Sequence, residues 1–134
     1  MLLIAEAPKP SWTEPKWQRL NQETFTRAIV DTLDRSGLFS TTSIVGPADY
    51  RLSVEVVDQK LVGTMSNIML LLVRYQLTDT TSANILWTEN LLSFHHLSSA
   101  DVFMGTDRVA QVVETAVRQN LQQLVVRLDA NLPH

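Results

Sequence analysis

In the stretch NIMLLLVRYQLTD, Asn67 to Asp79, the odd positions Met69, Leu71, Val73, Tyr75 and Leu77 are apolar throughout, whereas the even positions run Ile68, Leu70, Leu72 and then Arg74, Gln76, Thr78. Successive residues of a strand point to opposite faces. The pattern therefore predicts a strand with one face buried along its whole length and the other covered over only half of it. Ile68, Leu70 and Leu72 are expected to be covered either by the N-terminal arm or by a partner. Upstream, YRLSVEVVDQK alternates with period two, Tyr50, Leu52, Val54 and Val56 facing one way and Arg51, Ser53 and Glu55 the other, so it predicts a half-buried strand. Downstream, DTTSAN supplies turn chemistry and ILWTENLLSFHH returns as the next strand of a hairpin, with Trp87 near its start. The adjacent Leu91 and Leu92 point to opposite faces there, which predicts a bulge or a strand covered on both sides. Shorter strands are expected at Thr42 to Val45, before the Gly46-Pro47 turn, and at Leu2 to Ala5.

Two segments carry helical periodicity instead. Asn21 is a good N-cap, Leu20 and Phe25 stand at hydrophobic-staple spacing, and Glu23 sits in the first turn. Phe25, Ala28, Ile29 and Leu33 then recur as a buried stripe, while Glu23, Arg27, Asp31 and Arg35 alternate in sign at four-residue intervals along a solvated face. Gly37 ends this helix at the left-handed cap position, and Leu38 and Phe39 turn back to the core. Thr106 caps a final long helix in which Val109, Val113, Ala116, Val117, Leu121, Leu124 and Leu128 form a continuous apolar stripe. Glu114 and Arg118 sit four apart on its other side. Gln111, Gln119, Asn120, Gln122 and Gln123 make its outer face polar but weakly charged, which suits water and equally a wet protein interface.

Strand, helix, about four strands, helix is an order without the strand–helix alternation of a parallel sheet. It predicts an α+β two-layer sandwich: a mainly antiparallel sheet of about four to five strands with two helices on one face. Residues 1–18 read as an extended arm, interrupted by Pro8, Pro10 and Pro15 and pinned by Trp12 and Trp17, with room for a short first strand; residues 19–134 read as one α+β domain.

Composition narrows the function classes. A length of 134 residues suits one domain with its own core, and 45% hydrophobic with 19% charged content argues against disorder. A net charge of -3 without a cluster of Lys and Arg speaks against nucleic acid, because phosphate neutralisation needs such clusters. Without cysteine there is no disulfide, zinc knuckle or thiol nucleophile. The longest apolar run, Ile68 to Val73, falls far short of the roughly 18 to 20 residues that cross a bilayer. MLLIAEAPKP lacks the layout of a signal peptide, so the chain is expected to be cytoplasmic or a form whose leader has been removed.

The usual catalytic and ligand-binding arrangements are not spelled out. His95 and His96 are adjacent in a strand and point to opposite faces, and His134 lies at the far end of the chain, so no metal set is expected. Gly37, Gly46, Gly63 and Gly105 are too far apart for a phosphate-binding loop or a dinucleotide fingerprint. No serine lies in a G-x-S-x-G elbow. Glu55, Asp58, Asp79 and Glu89 are better placed to pair across strands with Arg51 or Arg74 than to form a catalytic carboxylate pair. The expectation is a protein with neither enzyme activity nor a cofactor.

FTRAIVDTLDRSGLF, ADYRLSVEVVDQ, LLVRYQLTDTTSANILWTENL and the terminal amphipathic helix together resemble small periplasmic lipoproteins of Gram-negative bacteria. The resemblance is nearest to the auxiliary lipoprotein components of ABC-type envelope transport systems, and more distant to the lipopolysaccharide-assembly and penicillin-binding-protein-activator lipoproteins. It spans Trp17 to Leu128 and rests on fold-forming positions: the SGLF helix end, Ala48 to Tyr50 opening a strand, and Tyr75 to Asp79 followed by Leu86-Trp87. It implies a non-enzymatic domain supporting transport or assembly of envelope components, periplasmic, and held at the outer membrane by an N-terminal lipid anchor. The family's signal peptide and lipid-carrying cysteine are not in this sequence, so either Met1 is a start introduced after truncation, with the full-length form carrying the anchor, or the protein is not a lipoprotein. The implied partner is a protein of the cell envelope, met through a sheet edge, through Ile68, Leu70 and Leu72, or through Gln119, Gln122 and Gln123. The other reading is a lipid-like ligand in an apolar pocket between sheet and helices, lined by residues such as Met69, Leu71 and Phe103.

Overall fold

The computed structural model describes residues 2–5, 22–43, 47–62, 68–96 and 106–132. Seven elements follow in chain order: β1 (Leu2–Ala5), α1 (Gln22–Ser36), β2 (Thr42–Ser43), β3 (Tyr50–Val62), β4 (Ile68–Asp79), β5 (Ile85–His96) and α2 (Thr106–Asn131). The sheet order is β2-β1-β3-β4-β5, and both helices share a single core with one face of that sheet. This is the α+β arrangement that the alternation predicts. Asn21, the arm tryptophans Trp12 and Trp17, Val45, Gly46 and Phe103 lie outside the described residues.

The three long strands follow the period-two pattern. Leu52 and Val54 of β3 are buried with Met69, Leu71, Val73, Tyr75 and Leu77 of β4 and with Trp87 and Leu91 of β5. The antiparallel register puts these residues side by side, Leu52 opposite Leu77, Val54 opposite Tyr75 and Leu77 opposite Trp87. Tyr75 and Trp87 stack with ring centroids 6.4 Å apart. Onto this face α1 lays Phe25, Ile29 and Leu33, and α2 lays Ala116, Val117, Leu121, Leu124 and Leu128, all buried. Gly37 has φ 74 and ends α1, returning Leu38 and the buried Phe39 to the core, where Phe39 meets Tyr50 edge to face at 6.1 Å.

The structure differs from the sequence pattern in three places. Leu91 and Leu92 need no bulge: Leu91 is 2% exposed on the helix side, and Leu92, 48% exposed, faces away from the helices. The irregularities lie elsewhere, at Val57 in β3 and at the start of β5, where the register shifts between Leu77 and Thr78. Second, β1 is an interior strand, parallel to β2 on one side and to β3 on the other. Four residues carry too little periodicity to announce a parallel partner. Third, Asn120, read as part of the polar outer face of α2, is 0% exposed. Helical spacing does place it beside the apolar stripe, and its amide is accepted there because every one of its bonds is made inside the protein.

Candidate functional site

The far side of the sheet, which neither helix covers, carries two zones. At one end Arg74 donates through Nη1 to Glu55 at 3.3 Å and through Nε to Asn90 at 3.1 Å, an exposed cross-strand cluster of the kind expected for these charges. At the other end lie Ile68, Leu70 and Leu72, half-buried rather than buried, each opposite a residue of β5. Leu70 faces Phe94 and Leu72 faces Leu92, and those β5 side chains are 51% and 48% exposed. The apolar zone thus continues from the interior strand β4 outward to β5, the last strand of the sheet among the described residues. Pattern reading found its β4 half and missed Leu92 and Phe94, although the hairpin register makes them neighbours of Leu72 and Leu70.

The sheet edge can be resolved atom by atom. Asp79 donates its main-chain N–H to Asn84 O at 2.9 Å, and Thr80 donates to Asp49 O at 3.0 Å. Odd residues of β4 therefore turn their main-chain groups toward β5, and even residues toward β3. Through the pairing of Val73 with Leu91 and Leu71 with Ser93, the odd residues of β5 face β4. Thr88, Asn90, Leu92 and Phe94 consequently turn their main-chain groups outward, along an edge where β5 has no further strand among the described residues.

Two polar residues of α2 fasten the helix to this strand. Asn120 Oδ1 accepts from the Tyr75 hydroxyl at 2.6 Å, while its Nδ2 donates to Leu91 O at 2.8 Å and to Ser93 Oγ at 3.3 Å. The Ser93 hydroxyl in turn donates to Ala116 O at 2.9 Å. Burial, which penalises the phenolate, pushes the Tyr75 pKa well above its usual value, so the hydroxyl is a neutral donor. One turn further, Gln123 Nε2 donates to Leu92 O at 3.0 Å and so meets an outward-facing carbonyl of the edge.

Of the three glutamines predicted as a partner surface, Gln122 is exposed, and Gln119 and Gln123 are half-buried. With Val126 and Arg127 they line one open groove of about 540 Å³. Arg127 is tied back to Glu89, Nε to Oε2 at 3.5 Å, and the other oxygen of that carboxylate accepts from Trp87 Nε1 at 3.1 Å. The groove is accordingly lined by neutral amides, a methyl-bearing Val126 that is 67% exposed, and a cation whose charge is already matched. Chemically it offers hydrogen bonds and apolar contact. It does not share a surface with Ile68, Leu70 and Leu72, which lie across the sheet.

Met69 and Leu71, named for an apolar ligand pocket, are each 1% exposed and belong to the packed core. Among the described residues no three of His, Asp and Glu approach closely enough to hold a metal ion, and no helix is long and apolar enough to cross a membrane.

No family model and no curated protein matches the sequence. Solved structures do match in fold. A protein of Xanthomonas campestris assigned to the family-model DUF330 is 17% identical, with 92% of this chain and 80% of that one covered at a TM-score of 0.69. A minor lipoprotein of Acinetobacter baumannii is 18% identical, with 97% and 93% covered at 0.68. The PelC dodecamer of Paraburkholderia phytofirmans is 14% identical, with 90% and 84% covered at 0.61. At these identities the likeness is one of fold.

Proposed function

We propose that this chain is the non-enzymatic domain of a Gram-negative envelope lipoprotein, periplasmic and anchored at the outer membrane in its full-length form. It acts as an adaptor or auxiliary component in the transport or assembly of envelope components. The observation that carries the reading is the sheet face that neither helix covers, where Leu92 and Phe94, each about half exposed, extend the half-buried row Ile68, Leu70 and Leu72. Contiguous exposed apolar side chains on a water-facing sheet are characteristic of a docking surface, and here a polar border of Glu55, Arg74 and Asn90 delimits them on one side. The fold shared with a minor lipoprotein of Acinetobacter baumannii supports the envelope setting.

The test is a pull-down of the natively anchored protein from cross-linked cells, with Leu92→Asp as the surface variant. Leu92 is preferred to Leu70 because its exposure leaves folding less affected. Recovery of envelope transport or cell-wall components by the native protein and their loss with the variant is the expected result. Equal recovery by both would place the contact off this face, and recovery of none would favour the lipid-ligand reading.

A further inference from the structure

We propose that Gln123 and Arg127 of α2 guard the outer edge of β5, closing it against strand addition and so keeping the chain from pairing with copies of itself. This goes beyond the adaptor reading and does not depend on it. β5 is 12 residues long, has no proline and no lysine, and is the last strand of the sheet among the described residues. An edge of that length invites pairing unless a bulge, a charge or a covering element opposes it. All three are found here. Leu86 is the extra residue between the pairs Leu77 with Trp87 and Thr78 with Ile85, so the first part of β5 is bulged. Beyond the bulge the charge and the cover both come from α2.

Asn120 bonds Leu91 O and Ser93 Oγ, Gln123 bonds Leu92 O, and Arg127 meets Glu89, so rising positions on the helix meet falling positions on the strand and α2 runs antiparallel along β5. Asn120 fastens the buried side, whereas Gln123 and Arg127, one turn apart, reach the edge itself. Leu92 O is among the carbonyls that β5 turns outward, and Gln123 Nε2 lies 3.0 Å from it. An added strand would have to displace that amide or share its acceptor. Three residues away, roughly 10 Å along the strand, Arg127 Nε lies 3.5 Å from Glu89 Oε2, while Glu89 Oε1 accepts from the buried Trp87. Both carboxylate oxygens are thus engaged, and the ion pair is held in place from inside the fold. An added strand would have to lie against this guanidinium and carboxylate, which lose water and gain no partner from a main chain already paired. Neither Gln123 nor Arg127 belongs to the packed core, so their polar ends can be removed with the buried contacts left in place.

Sedimentation equilibrium on the full chain across a wide range of concentration tests this. The native protein should keep the 15.1 kDa chain mass throughout. Gln123→Met combined with Arg127→Gln keeps side-chain length and helix propensity but removes the donor and the charge, and its mean mass should rise with concentration to about twice the chain mass or more. Gln122→Met combined with Arg118→Gln makes the same exchange at an exposed glutamine and at an arginine that bonds Glu114 along the helix, and should stay at one chain. Adding Leu92→Lys to the first pair should return it to one chain, since a lysine on an edge opposes pairing. Where the first pair loses the native circular dichroism spectrum, Gln123→Met alone decides in its place, with the same expectation. A guard variant that stays at one chain at every concentration overturns the proposal. Equal association by the control pair, or association that Leu92→Lys leaves intact, overturns it by placing the contact away from this edge. So does a native mass above one chain that the guard variant leaves unchanged.

Discussion

Asn120 stands where the helical spacing of α2 could equally have sent it to water, yet its amide is fully engaged inside the protein, with the Tyr75 hydroxyl, Leu91 O and Ser93 Oγ. An unpaired amide at that depth would destabilise the fold, so this residue tolerates burial only because β4 and β5 present matching groups. A sequence does not reveal those matches, and for that reason Asn120 reads as surface until its neighbours are placed. Tyr75 shares the same constraint and adds a pH dependence. Its folded pKa is raised above the unfolded value of about 10, so the stability associated with the neutral phenol is complete below that pH. Above it the unfolded chain ionises while the folded one does not, and stability falls by about 1.4 kcal/mol per pH unit. Urea midpoints compared between roughly pH 9 and pH 11 should therefore decline more steeply for the native protein than for Tyr75→Phe. Parallel declines would mean that the hydroxyl titrates freely and that the buried network does not hold.

Elements are set by signals of very different strength. The helix α1 is legible from Phe25, Ile29 and Leu33 at its core stripe to its end at Gly37, and β4 from five consecutive odd apolar positions. Local physics alone determines these. By contrast β1 owes its interior place between β2 and β3 to pairing with residues some 40 to 50 positions away, and nothing in Leu2 to Ala5 encodes that. The candidate site divides in the same way. Ile68, Leu70 and Leu72 could be read from the half-apolar even positions of β4, whereas Leu92 and Phe94 required the hairpin register, because the pair Leu91-Leu92 suggested a bulge that lies instead at the strand's beginning. Gly37 offers the cleanest test at this scale. At φ 74 a side chain is strained, but a Cβ there would meet nothing within 4 Å, so Gly37→Ala isolates the backbone effect. It should cost about 1 to 2 kcal/mol in denaturant unfolding, with Gly37→Asn costing less because asparagine tolerates this conformation. A neutral result would mean that the helix end shifts to relieve the strain.

For the whole molecule, a core on one side of a sheet means that neighbouring residues of one strand answer to different physics. Leu71, 1% exposed, lies in the core between its register partners Gln59 of β3 and Ser93 of β5, whereas Leu92, on the other face, is 48% exposed. Leu71→Ala removes buried methyl groups and leaves a cavity, for an expected loss of about 2 to 5 kcal/mol. Leu92→Asp exchanges one partly hydrated side chain for another and should change the monomer's stability by no more than about 1 kcal/mol, with secondary structure unchanged by circular dichroism. That contrast decides whether the outer face is free to serve a partner. An apolar row needed for folding would be lost with the fold whenever it was altered, and selection on stability would then account for it fully. A row that can be made acidic with little effect on the fold calls for another explanation, and contact with a second surface supplies one. If Leu92→Asp were as damaging as Leu71→Ala, Leu92 would belong to the core in function if not in position, and the docking face would have to be sought along the amide-lined groove of α2.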